Sequence, residues 1–348
     1  MGYIRILLAI SVFQGHAWAV FPPKVYEFSG GVASVRLFYI ISGFLITFVL
    51  TKKYNSVKSF YKSRALRLLP TYYFILFLTL ASSLIIYFFT TDSFLLGYFE
   101  GYKNSLSIYE CLLLYIPQLS TLFLDLYGFI GINENGLFLA KQTWTNVNGY
   151  QFLIIPQAWT LGIECWFYMF APFIVKNKYF STLFLAVSLA IDFFVDSYIP
   201  FANDDPWARR FFLSEMQYFI LGVISCQNKK LLTINNNTAK SIIYISIFLY
   251  LIFMELLNFE IYFITYVLFA LSIPVILDLS HKLPLDRITG DLSYPFYLSH
   301  WFCIHLLSNL DLNLSFPKTY AFLLTIIISI LIVFIIEKPF KNIRSKYN

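Results

Sequence analysis

Ile108-Tyr-Glu110-Cys-Leu-Leu-Leu-Tyr-Ile-Pro117-Gln118-Leu-Ser-Thr-Leu-Phe-Leu-Asp125-Leu-Tyr-Gly-Phe-Ile-Gly131 is long and apolar enough to suggest a membrane span. It also holds two carboxylates, a proline and a glutamine. Whether it spans decides on which side of a membrane every later segment lies. Ten other apolar runs approach the spanning length of about 20 residues. They fall near residues 4–21, 32–51, 70–90, 157–176, 179–198, 211–228, 239–257, 260–280, 289–310 and 318–337. Cytoplasmic loops of membrane proteins collect Lys and Arg. With ten spans and a cytoplasmic N-terminus, 18 of the 25 Lys and Arg residues lie inside, among them Lys52, Lys58, Arg64, Arg67, Lys229 and Lys341. Adding 108–131 as an eleventh span inverts the side of every later loop and leaves 11 of the 25 inside. The expectation is an all-α polytopic helix bundle of about ten spans, with both termini cytoplasmic. Residues 91–156 become one long outer segment, in which 108–131 lies along the interface or re-enters.

Composition points the same way. The chain has 348 residues, 59% hydrophobic and 13% charged, with a mean hydropathy of +0.69. Soluble domains carry about 25% charged residues, so lipid is the solvent indicated here. The net charge of +6 is modest and gives no reason to expect a nucleic-acid partner. Four cysteines, three of them in apolar runs (Cys165, Cys226, Cys303), form no disulfide or zinc framework, and no metal is expected. Ala17-Trp18-Ala19 has the look of a signal-peptidase site. However, Gln14 and His16 interrupt the apolar core before it, so an uncleaved first span is the preferred reading. No repeat of fixed period is present, and one integral domain over 1–348 is the simplest partition.

Ionisable groups inside spanning helices are costly and mark catalytic or transport paths. His16 is such a group in the first run, and its plain alternative is a neutral, hydrogen-bonded packing histidine. Arg5, eleven residues earlier, lies about 16 Å nearer the inner face at 1.5 Å per residue. By the same arithmetic Ser42 is about 15 Å and Glu164 about 10 Å in from the outer face, and His300 about 16 Å from the inner end of its span. Arg64 and Arg67, three apart, share one helix face and suit phosphate, although ordinary positive-inside topology also accounts for basic residues there.

Six stretches stand in order along the chain: Arg5 with His16; Ser42-Gly-Phe-Leu-Ile-Thr47; Phe60-Tyr-Lys-Ser-Arg64-Ala-Leu-Arg67-Leu-Leu-Pro70; Gln157-Ala-Trp159-Thr-Leu-Gly-Ile-Glu164; Leu292-Ser-Tyr294-Pro-Phe-Tyr297-Leu-Ser-His300; and Ile336-Glu337-Lys-Pro339. Together they resemble the acyltransferase-3 family of integral membrane O-acyltransferases, most of all its branch acting on exported polysaccharides such as O-antigen. The resemblance covers Arg5 to Pro339. Many relatives place aspartate where Arg36 stands, His-Thr where Gln157-Ala158 stand, and a carboxylate with Gln where Cys165-Trp166 stand, so roles at those positions do not transfer. The integral module alone is expected.

The resemblance implies acyl transfer, with acetyl-CoA as the donor from the cytoplasm and no metal. The acceptor would be a hydroxyl of a surface polysaccharide or its lipid-linked precursor, outside a bacterial inner membrane. It also implies Arg5, Arg64 and Arg67 as donor-site residues. His16 would be the general base, with Glu164 orienting it or handling the acceptor hydroxyl. A buried, protonated carboxyl is the plain reading of Glu164. Ser42 is expected on the substrate-binding side of the site with Trp159, Tyr294 and His300, and it serves close helix packing better than nucleophilic attack, since no Gly-x-Ser-x-Gly elbow surrounds it. Trp159 and Tyr294 line the donor or sugar path or anchor the interface, and His300 supports the reacting groups. His281 and His305 gain no role from position. Peptidoglycan, a macrolide or a glycolipid are alternative acceptors. A proton-coupled transporter with a His16–Glu164–His300 relay is the alternative of another class, but inverted repeats are absent and an arginine pair has no obvious use in it.

Overall fold

The computed structural model describes residues 1–17, 30–52, 56–90, 101–141, 147–253, 263–309 and 317–347. Its helices run, in chain order, α1 Gly2–Ala17, α2 Gly31–Lys52, α3 Val57–Thr90, α4 Ile108–Ser120, α5 Trp159–Ile174, α6 Lys178–Tyr198, α7 Phe212–Gln227, α8 Asn237–Phe253, α9 Phe263–Ser280, α10 Asp286–Asn309, α11 Pro317–Ile332 and α12 Lys338–Arg344. Short helical turns punctuate the links between them. All but α4 and α12 fall on the ten expected spanning runs. The all-α polytopic bundle is therefore what forms. Among the described residues, α2, α3, α6, α9 and the run Pro317–Tyr347 are long and apolar enough to cross a membrane.

Glycine sets the closest helix crossings. A methyl group on Gly43 of α2 would sit 2.0 Å from the Phe219 carbonyl oxygen of α7, and one on Gly222 of α7 would sit 2.0 Å from the Ile40 carbonyl oxygen. Backbone packs on backbone there, as small residues allow when lipid offers no hydrophobic drive between helices. The same device joins α1 to α10, where Gly2 and Gly290 face one another. The Ser42-Gly43 stretch thus does the packing work expected of it, through the glycine.

Helix α3 has 34 residues, about 51 Å at 1.5 Å per residue against a hydrocarbon core of about 30 Å. It extends the expected third span backward, so Arg64 and Arg67 ride on the same rod as the membrane segment. Pro70 cannot donate to the Leu66 carbonyl, which loosens the rod at that level. At the other end of the chain, α11 passes through a π-helical turn, Val333–Glu337, before α12. A π-turn re-aims the side chains beyond it, and here Glu337 is carried inward to α3.

The stretch 108–131 does not form one spanning helix. Helix α4 has 13 residues, about 20 Å. Its start is a capping box, with the Glu110 amide donating to Ser107 Oγ and the Ser107 amide to the Glu110 carboxylate (2.8 Å). Leu114 and Gln118 face inward, while Ile108, Leu112, Leu113, Ile116 and Leu119 are exposed. The buried Gln118 amide donates to the Leu114 and Phe152 carbonyls and accepts from the Ile154 amide (2.9 Å). After α4 the chain makes a 3-10 turn, Leu124–Phe129, and a hairpin of β1 Ile130–Asn133 and β2 Gly136–Leu139, with β3 Val147–Asn148 on the other side of β1. Glu110 also accepts from the Leu137 amide (2.7 Å), tying helix to hairpin; that bond and the Ser107 bonds hold its carboxyl below the usual range.

Candidate functional site

Helices α1, α2, α3, α5 and α10 line a partly open cavity of about 160 Å³. Six of the nine expected site residues line it: Arg5, Ser42, Arg64, Arg67, Glu164 and Tyr294. The spacing of these positions along their helices explains the meeting. Arg64 and Arg67 are one turn apart on α3, and Glu164 lies just over one turn into α5.

Each polar group has a distinct setting. Ser42 Oγ donates to Glu164 Oε1 (3.0 Å), and the Tyr168 hydroxyl, one turn along α5, donates to the same oxygen. Tyr294 donates to the Leu68 carbonyl (2.9 Å), clasping α10 to α3, and Arg67 lies 5.7 Å over its ring. Arg67 forms an ion pair with Glu337, which also accepts from Thr71 Oγ1 (3.0 Å). The expected two-arginine fork is therefore divided: part of Arg67 is committed to a carboxylate buried at the π-turn. Arg5 differs. It is half-buried, and among the described residues no carboxylate lies within 4 Å of it; Glu164 and Asp291 act on it only at longer range, and Asp291 is paired with Lys341 (2.9 Å). A guanidinium set in protein without a paired carboxylate is costly, and a cavity beside it gives an anion somewhere to bind.

His16 and His300 form a second cluster. Their rings stack at 5.3 Å, with Trp301 edge-on to His16 at 5.1 Å. His16 is exposed, whereas His300 is fully buried. His300 Nδ1 lies 2.6 Å from the Tyr297 carbonyl. A carbonyl only accepts, so Nδ1 carries the proton and Nε2 is left as an acceptor. Among the described residues that buried Nε2 has no partner. Neither histidine lines the cavity. Tyr297 touches both groups: it lines the cavity, its ring packs 5.8 Å from that of His300, and its hydroxyl bonds Thr160 (2.8 Å) and the Gln157 carbonyl (3.1 Å). Tyr294, Tyr297 and His300 thus climb one face of α10 from the arginines toward His16.

Trp159, the ninth expected residue, stands apart from the cavity. The Arg210 guanidinium lies 4.8 Å over its ring, and 5.2 Å over that of Tyr150. Tyr168, Tyr297, Thr160, Glu337 and Arg210 had no role on sequence grounds. The first three sit at helical spacing from expected residues, a usable signal. Glu337 stands in a quoted stretch, but no local pattern names a partner 270 residues away.

No curated protein matches the chain, and no solved structure does. Comparison with protein families matches residues 1–338 to a family described as an acyltransferase domain, the acyltransferase-3 family. With 338 of 348 residues matched, the chain belongs to the acyltransferase-3 family and is a multi-pass membrane acyltransferase.

Proposed function

We propose that the protein takes an acyl group, acetyl for preference, from acetyl-CoA at the cytoplasmic side and places it on a hydroxyl of a surface polysaccharide or its lipid-linked precursor at the outer side of a bacterial inner membrane. The observation that carries this is Arg5: a half-buried cation with no carboxylate within 4 Å among the described residues, lining one cavity together with Arg64 and the Ser42–Glu164–Tyr168 group. The residues fit the donor. Arg5 and Arg64, with what Arg67 has left, suit phosphates. The thioester end of a long pantetheine arm is the part that can reach the middle of the bundle.

His16 accepts the proton of the acceptor hydroxyl as its oxygen attacks the thioester carbonyl. The carbon–sulfur bond breaks, an ester forms, and the proton passes on to the departing thiolate. Stacking on His300, itself fixed by the Tyr297 carbonyl, holds the His16 ring in place. Glu164, carrying the Ser42 and Tyr168 hydroxyls, orients polar groups in the cavity through which the thioester travels. The surface glycan of cells with and without the protein is expected to differ by an acetyl methyl signal in NMR, with a downfield shift of one ring proton. Identical spectra in the polysaccharide, lipid-linked and peptidoglycan fractions would contradict this reading.

A further inference from the structure

Three segments that lie outside on the ten-span reading meet above the first turn of α5. They are the turn Leu124–Phe129, the turn Gly149–Phe152 and the helical turn Trp207–Arg210. Gly128 lets the Arg210 side chain lie against it: a methyl group there would fall 2.6 Å from Arg210 Cδ. Phe129 packs edge-on to Trp207 at 5.0 Å, and Arg210 covers Trp159 and Tyr150. Nothing in the acyl-transfer chemistry above uses this junction.

Its polar groups are unbalanced. Arg210 Nε donates to both oxygens of Asp205 (2.9 Å each), and Arg209 reaches the same carboxylate at 3.2 Å. Two guanidiniums therefore share one buried anion. The Arg210 side chain is only 9% exposed, and its Nη1 has no hydrogen-bond partner among the described residues. The same holds for the buried Trp207 Nε1. The nearby Asp125 carboxyl, on which Arg210 acts at longer range, is pushed up to about 7 by burial. Buried donors without partners are rare and costly. Two of them beside an excess cation and half-buried aromatic rings make a setting for a ligand that has an anionic group, hydroxyls and an apolar face.

We propose that this junction is an acceptor subsite for an acidic sugar, with Arg210 Nη1 and Trp207 Nε1 donating to its anionic group and Trp159 and Tyr150 flanking the ring. The proposal rests on the glycan-acceptor reading and narrows it to glycans that carry a carboxylate or a phosphate.

The test uses the full chain in lipid nanodiscs and ligand-observed NMR with glucuronic acid, glucose 6-phosphate, glucose and inorganic phosphate as probes. One of the two acidic sugars is expected to bind at least tenfold more tightly than glucose and than inorganic phosphate, and which one identifies the anion. Arg210→Gln should erase the preference and Arg210→Lys should keep part of it. Trp207→Phe preserves the ring packing if Arg210→Gln misfolds, and it should weaken the acidic sugar roughly three- to tenfold. Acetyl-CoA binding, measured on the same samples, should be unchanged in every variant. Equal binding of glucose and both acidic sugars, or no binding of any, in a protein that still binds acetyl-CoA overturns the subsite and leaves the donor reading standing. Inorganic phosphate matching glucose 6-phosphate would also overturn it, because the site would then hold an anion and not a sugar. Failure of acetyl-CoA to bind the parent protein would count against the wider reading alone.

Discussion

His16→Gln is expected to be as inactive as His16→Ala, with both variants inserted and folded at normal levels. General-base catalysis contributes about 10²–10⁴-fold, and glutamine keeps the size and hydrogen bonding of the side chain without accepting a proton at neutral pH. The structure sharpens the comparison. His16 is exposed and stacks on a buried histidine, so glutamine can occupy its place without leaving a void. A packing histidine would give the opposite order, glutamine active and alanine merely unstable. Acylation by His16→Gln above about a tenth of the parent rate, well outside the range for loss of a general base, would return His16 to a structural role. His300→Gln belongs beside it. Glutamine can still donate to the Tyr297 carbonyl, so a positioning residue predicts a partial loss.

Arg5→Met should weaken acetyl-CoA binding while leaving the protein as stable as the parent, or more so. A charge-assisted hydrogen bond is worth roughly 1.5–3 kcal/mol, which is about ten- to a hundredfold in the dissociation constant. Since no carboxylate lies within 4 Å of Arg5 among the described residues, removing it strands no partner. Arg67 is the contrast. Its loss leaves Glu337 buried and unpaired, and breaking such a pair costs roughly 3–5 kcal/mol. Arg67→Ala is therefore expected to lower the melting temperature, and donor binding by that variant says little unless stability is matched. Titration calorimetry with acetyl-CoA, alongside thermal unfolding, checks both. Unchanged affinity in Arg5→Met would remove the donor from this cavity.

Much of the bundle was legible because a spanning helix needs a long apolar run: a helix stands on each of the ten runs, and among the described residues five are long and apolar enough to cross a membrane. The positions of charges argued against 108–131 as a span, and a short capped helix followed by a hairpin is what stands there. The hairpin itself was hidden: four-residue strands in an apolar stretch carry too little alternation to be read. At the site, residue types and order pointed to six residues that share one cavity. Depth arithmetic went only part of the way. Rise per residue gives height along a helix and not the direction a side chain faces. His16 and Glu164, placed at similar depths, consequently have different neighbours, His300 in one case and Ser42 with Tyr168 in the other. Arg210 was not visible at all. Its meaning depends on three outer segments meeting, which no local pattern encodes.

Central to the proposed function is an acyl group that enters from one face of the membrane and leaves, as an ester, at the other. Sealed right-side-out vesicles containing the protein, loaded with isotopically labelled acetyl-CoA and supplied with glycan acceptor only on the outside, test it directly. Labelled ester is expected on the external glycan, with an equal amount of free coenzyme A thiol inside, and neither in vesicles carrying His16→Gln. Label reaching the glycan only when donor is supplied outside, or only when acceptor is enclosed with donor, would contradict it.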